Sequence, residues 1–139
     1  MKKGIFIGIG IVLLLMAGLF SWLYEGKSDV QVTYLVPDDQ TGCMSIHFNQ
    51  ADKEALVIVN DELIIEFPER GGLPTSSSAD IILDLGWHSQ KAFLIDDKGE
   101  RIGEIDSGKI GEGSMSSTGF SSENARYSKS FDGRSSSCD

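Results

Sequence analysis

Hydrophobic and polar positions follow three patterns along the chain. From Gly4 to Tyr24 apolar residues succeed one another with no charged side chain in 21 positions. From Val30 to Ile105 short apolar runs alternate with polar turns, and beyond Asp106 apolar residues thin out among serine and glycine. The first pattern predicts a membrane helix. Twenty-one residues would span ~30 Å, about one bilayer core. A helix with no polar side belongs in lipid or in a core larger than this chain could build. Trp22 and Tyr24 close the run, where amphipathic rings favour the headgroup level. Lys2 and Lys3 precede it and, by the positive-inside rule, hold that end in the cytoplasm, so the remainder faces outward. The reading taken is a retained anchor. A cleaved signal is the alternative, although Ala17 offers only a poor small-residue site. The spacing of Gly4 and Gly8 is read as ordinary glycine tolerance in a membrane helix.

The second pattern predicts strands. Val30–Val36 is β-branched, alternates, and stops at Pro37. Asp38–Gly42 is turn chemistry, and Cys43–Asn49 follows with Met44, Ile46 and Phe48 on one face and Cys43, Ser45 and His47 on the other. Ala55–Val59 and Leu63–Phe67 flank Asn60-Asp61-Glu62, the composition of a tight hairpin. Pro68, Gly71-Gly72 and Pro74–Ser78 mark a loop, and Ile81–Leu85 reads as a further strand. Ala92–Ile95 and Arg101–Ile105 flank Asp96–Glu100, a second hairpin signal. About seven evenly spaced short strands predict an all-β fold, a small antiparallel β-sandwich of the prealbumin-like kind, preceded by one N-terminal transmembrane helix. The chain divides accordingly into an anchor or signal segment at 1–27, a β domain at 28–106 and a tail at 107–139. Eleven serines and five glycines in that tail predict flexibility, with a last strand at 125–132 as the alternative.

Charge sharpens the division. The chain carries 12 basic and 21 acidic side chains, net −9, distributed as +2 over 1–27, −11 over 28–106 and 0 over 107–139. Such acidity excludes a nucleic-acid binder, which needs a basic face to neutralise phosphates. It also disfavours adhesion to anionic wall polymers unless cations bridge them. Two cysteines exclude a disulfide-dense scaffold and a four-cysteine zinc module. In an oxidising compartment Cys43 and Cys138 could pair; the other reading leaves Cys43 a small hydrophobe and Cys138 a free thiol.

Candidate chemistry is sparse. His47 shares a strand face with Cys43, but a polar strand face explains both. His88, beside Trp87, reads as a loop residue. No Gly-x-Ser-x-Gly elbow accompanies the many serines. Asp96–Glu100 lacks the alternating ligands of a calcium loop because Lys98 interrupts them, and Asp38-Asp39 is read as turn chemistry. No residue is assigned as catalytic, cofactor-binding or metal-ligating.

Tyr34-Leu35-Val36-Pro37, Gly42 and the strand ending Phe48-Asn49-Gln50 carry a resemblance. So do Phe67-Pro68, Thr75-Ser76 and Asp96–Arg101. Together they resemble a family of uncharacterised domains of unknown function in Gram-positive-type bacteria. The resemblance implies an N-terminal signal or lipoprotein anchor and a small outward-facing β domain, with no catalytic residues to carry over. This chain departs from it in having no lipobox cysteine after the apolar run. The expected protein is a membrane-anchored extracytoplasmic β domain with a binding or envelope-structural role, not an enzyme. Its partners would be the membrane, through residues 4–24, and another surface protein. An exported enzyme or accessory domain, or a secreted protein, is the alternative.

Overall fold

The run Val32-Thr33-Tyr34-Leu35-Val36 is buried on both faces, the signature of a central strand in a sheet with parallel neighbours. In the computed structural model, which describes residues 27–40, 42–117, 124–133 and 138, this run is the core of β1 (Lys27–Pro37). The chain continues through β2 (Cys43–His47), β3 (Ile58–Val59), β4 (Glu62–Glu66), β5 (Leu73–Pro74), a single helical turn α1 (Asp80–Leu83), β6 (Trp87–Ile95) and β7 (Arg101–Glu104). A 3-10 turn (Ser107–Lys109), β8 (Ser114–Ser117) and β9 (Ala125–Ser130) complete it.

The strands form a five-stranded sheet, β3-β4-β1-β6-β7, and a four-stranded sheet, β5-β2-β9-β8. One apolar core unites them: Val32, Tyr34, Val36, Leu63, Ile65 and Phe67 from the first sheet face Met44, Ile46, Phe48, Tyr127 and Phe131 from around the second. Tyr34, Phe67 and Phe131 pack together in its middle, with ring centroids 5.2 to 6.2 Å apart; the Tyr34 and Phe67 rings are parallel and Phe131 meets both at about 60°. Alternation in β2 is as the sequence predicts, with Met44, Ile46 and Phe48 buried. The β3–β4 hairpin is also where Asn60-Asp61 predicts it, both residues holding positive φ (50° and 58°), the requirement of a two-residue turn that matches strand twist.

Four expectations are corrected. The expected antiparallel sandwich has mixed sheets: β1 runs parallel to both β4 and β6, and β2 parallel to β5. The cause lies in the connections. After β1 the chain crosses to build β2 in the other sheet, and after β4 it crosses again to build β5. β4 and β6 thus reach β1 only after the chain has passed through the other sheet, and a connection of that length allows the parallel pairing that a tight hairpin cannot make. Residues 81–85, expected as a strand, fall on α1 and the turn after it; Ala79, Ile82 and Leu85 are buried at intervals of three. The expected strand at 55–59 shortens to Ile58–Val59. Finally, the expected tail at 107–139 supplies β8 and β9, with β9 inside the 125–132 span of the alternative reading. β9 lies between β2 and β8, so these two strands are part of the domain rather than an appendage; residues 118–123, 134–137 and 139 of the expected tail lie outside the described residues.

Cys43, at the start of β2, is disulfide-bonded to Cys138 across 95 residues. No helix among the described residues is long and apolar enough to cross a membrane. The expected membrane segment at 4–24 lies outside them.

Candidate functional site

Because β1, β4 and β6 run parallel, their carboxyl ends meet at one end of the sheet. There Pro37-Asp38-Asp39, Glu66–Glu69 and Ile95-Asp96-Asp97 with Gly99 line a groove of about 390 Å³. Its floor is apolar, from Phe67, Pro37, Pro68 and Ile95, and its rim carries Asp38, Asp39, Glu66, Glu69, Asp96 and Asp97. Two hydrogen bonds shape the rim loop: Asp96 Oδ1 accepts from the backbone N–H groups of Lys98 and Glu100, each at 2.9 Å. A third ties two loops together, where Asp38 N–H donates to the Ile95 carbonyl at 3.0 Å. Gly99 turns the chain at φ +78°, a conformation open to glycine at no steric cost.

The groove brings together acidic pairs that the sequence reading treated as separate turns, and adds Glu66 and Glu69, which that reading missed. Its visible signal was slight: three apolar strands each ending in carboxylates. Only the parallel order puts those endings side by side. Six carboxylates around one groove make a strongly negative field, which draws cationic groups and repels anionic ones. Among the described residues no three His, Cys, Asp or Glu side chains are gathered as a metal would need.

The two histidines lie in different sheets. His47, in β2, has Nε2 3.3 Å from Ser45 Oγ, and its ring packs so closely on Gly72 that a Cβ there would collide with it. His88, in β6, has Nδ1 2.8 Å from the Gly86 carbonyl. Cys43, at the start of the same strand as His47, is held in the disulfide.

A feature the sequence reading passed over is Lys129, in the Ser-Lys-Ser stretch of β9. It stands opposite Met44 on the core side of the second sheet and is 4% exposed. Its Nζ lies 5.5 Å from the centroid of the Tyr34 ring, a cation–π arrangement. Burial lowers its pKa to about 8, against a weaker upward pull from Glu112. The Tyr34 hydroxyl is buried with no hydrogen-bond partner among the described residues. Burial first, and the neighbouring Tyr127 phenol second, raise the Tyr34 pKa well above its usual value.

An acidic β domain of two mixed sheets, closed by one disulfide and built around a buried lysine, is the class these features define. Residues 28–139 match the model of a family described as a family of unknown function (DUF6843), and the chain belongs to that family. The resemblance read from the strand and turn motifs thus stands. A crystal structure of a Bacillus anthracis protein named a "Putative Lipoprotein" is similar in fold. Its TM-score is 0.60 at 20% identity, over 76% of this chain and 71% of that one. No curated protein matches the chain.

Proposed function

We propose that the protein is tethered to the cytoplasmic membrane by residues 4–24 and displays its β domain on the outer side, where it acts by binding. The observation that carries this reading is the Cys43–Cys138 disulfide, since such bonds form and persist in oxidising compartments outside the cytosol. The charge-free apolar head, preceded by Lys2 and Lys3, supplies the tether and the same outward topology. The similar Bacillus anthracis protein, named a lipoprotein, fits a surface location. Here the anchor is the peptide segment itself, because the chain's two cysteines pair with each other. The acidic groove is the surface the domain offers, and its partner is a cationic protein surface. Protease shaving of intact cells tests the placement. The expected result is loss of the β domain with survival of a membrane fragment beginning at Met1. A domain protected until the cells are lysed overturns it, and a mature chain found only in the medium turns residues 1–27 into a cleaved signal.

A further inference from the structure

Two large apolar side chains stand exposed at the end of the five-stranded sheet opposite the acidic groove. Trp87, the first residue of β6, is 83% exposed, and Leu83, the last residue of α1, is 56% exposed. Between them lie only Asp84, Leu85 and the turn residue Gly86. Val57, Ile58, Val59, Ile64 and Ile102 are exposed as well, but Trp87 is the most exposed of these large apolar side chains, and burying an indole from water is worth ~1.5–3 kcal/mol.

The register says what lies beside them. Trp87 pairs with Lys27, the first residue of β1. Only Glu25 and Gly26 separate Lys27 from Tyr24, where the charge-free apolar run ends. Three Cα steps reach at most ~11 Å, and neighbouring strands lie ~4.8 Å apart. The Trp87 backbone is therefore held within roughly 16 Å of the end of the apolar run. The polar headgroup layer is ~5–8 Å thick on each side of the hydrocarbon, and tryptophan favours that layer because its ring is apolar and its N–H is polar. We infer that the end of the domain carrying Leu83 and Trp87 rests on the lipid bilayer, with the Trp87 indole seated among the headgroups. This deepens the proposed function and rests on its anchor reading.

The opposite end fits the same orientation. β1 runs ten residue steps from Lys27 to Pro37, ~30 Å at strand rise, so the groove carboxylates stand well beyond a Debye length from the headgroups. Asp84 beside Leu83 restricts the contact to the headgroup level, since a carboxylate does not enter hydrocarbon.

The chain's two tryptophans, Trp22 and Trp87, make the test clean. Full-length Trp22→Phe and Trp87→Phe variants are reconstituted in phosphatidylcholine vesicles with and without brominated acyl chains. Tryptophan emission is read in each. The expected result is that Trp87, alone in Trp22→Phe, loses emission in brominated vesicles and shifts to the blue. Trp22, alone in Trp87→Phe, is quenched more strongly because it belongs to the anchor. Trp22 quenched and Trp87 not quenched overturns the inference and leaves the anchor standing. Trp87 shifted to the blue without quenching means protein covers it, a second copy included, and also overturns the inference. Neither quenched removes the anchor reading and this contact with it.

Discussion

Lys129 keeps a protonated ammonium inside a β core at neutral pH, and the cost is legible in its pKa of about 8 against an ordinary 10.5. That difference corresponds to about 3 kcal/mol. The folded state releases this proton near pH 8, while the unfolded chain holds it to about 10.5. Between those values the unfolded state binds more protons, so stability rises with pH. Above pH 10 the buried tyrosines oppose it. Tyr34 and Tyr127 have raised pKa values, the folded state keeps their protons longer, and stability falls. Denaturant midpoints measured from pH 7 to 11 should therefore climb from about 8, pass through a maximum near 10 and decline. Lys129→Met keeps the aliphatic stem and removes the charge. Its expected gain at pH 7 is about 1–2 kcal/mol after the lost cation–π contact is deducted, with the rise above pH 8 flattened. A loss of stability at pH 7 would show that the ammonium has partners that repay its burial.

β8 and β9 are the elements where the sequence was least informative. A segment of serine and glycine reads as tail because it offers few large apolar side chains of its own. Yet β9 is buried at Ala125, Tyr127, Ser128, Lys129 and Ser130. Neighbours supply what it lacks: β2 pairs with it along five residues, β8 along four, and small residues let the chain approach. Gly113 is such a point, since a Cβ there would collide with the Tyr127 ring and hydroxyl. Gly113→Ala should cost about 1–3 kcal/mol, the scale of overpacking, read as a fall in the unfolding midpoint. The disulfide locks the same region from the other side. Closing a 95-residue separation constrains the unfolded chain by about 4–5 kcal/mol in the loop-entropy account. The Cys43→Ser/Cys138→Ser pair should lower stability by an amount of that order. Elsewhere local signals sufficed: β2 by strict alternation, the β3–β4 hairpin by Asn60-Asp61, the β6–β7 hairpin by Asp96–Glu100. α1 escaped because Ile81-Ile82-Leu83 is a short apolar run, which periodicity cannot divide between strand and helix. The acidic groove escaped for a nonlocal reason, since strand direction depends on where the crossovers run.

At the scale of the whole molecule, the two ends of β1 present different surfaces. The entry end carries Trp87 and Leu83 exposed; the far end carries six carboxylates around one groove. A domain whose −11 over residues 28–106 served only solubility would not need that gathering. Asp38→Asn/Asp39→Asn/Asp97→Asn tests whether the groove's field is specific, because all three side chains are exposed and the loop-shaping Asp96 is left in place. Polylysine serves as the cationic probe. With each charge worth ~0.2–1 kcal/mol at an exposed site, the triple variant should bind polylysine roughly tenfold more weakly at low ionic strength. The difference should vanish near 1 M salt, where the Debye length is ~3 Å. Asp29→Asn/Asp52→Asn/Glu54→Gln removes the same net charge at exposed positions outside the groove, and should lose much less. Equal losses in the two triples would show that polylysine reads net charge alone, and the groove would then have no claim as the surface that selects a partner. A loss confined to the groove triple would make local geometry, three parallel strands delivering their acidic ends to one place, the source of the selection.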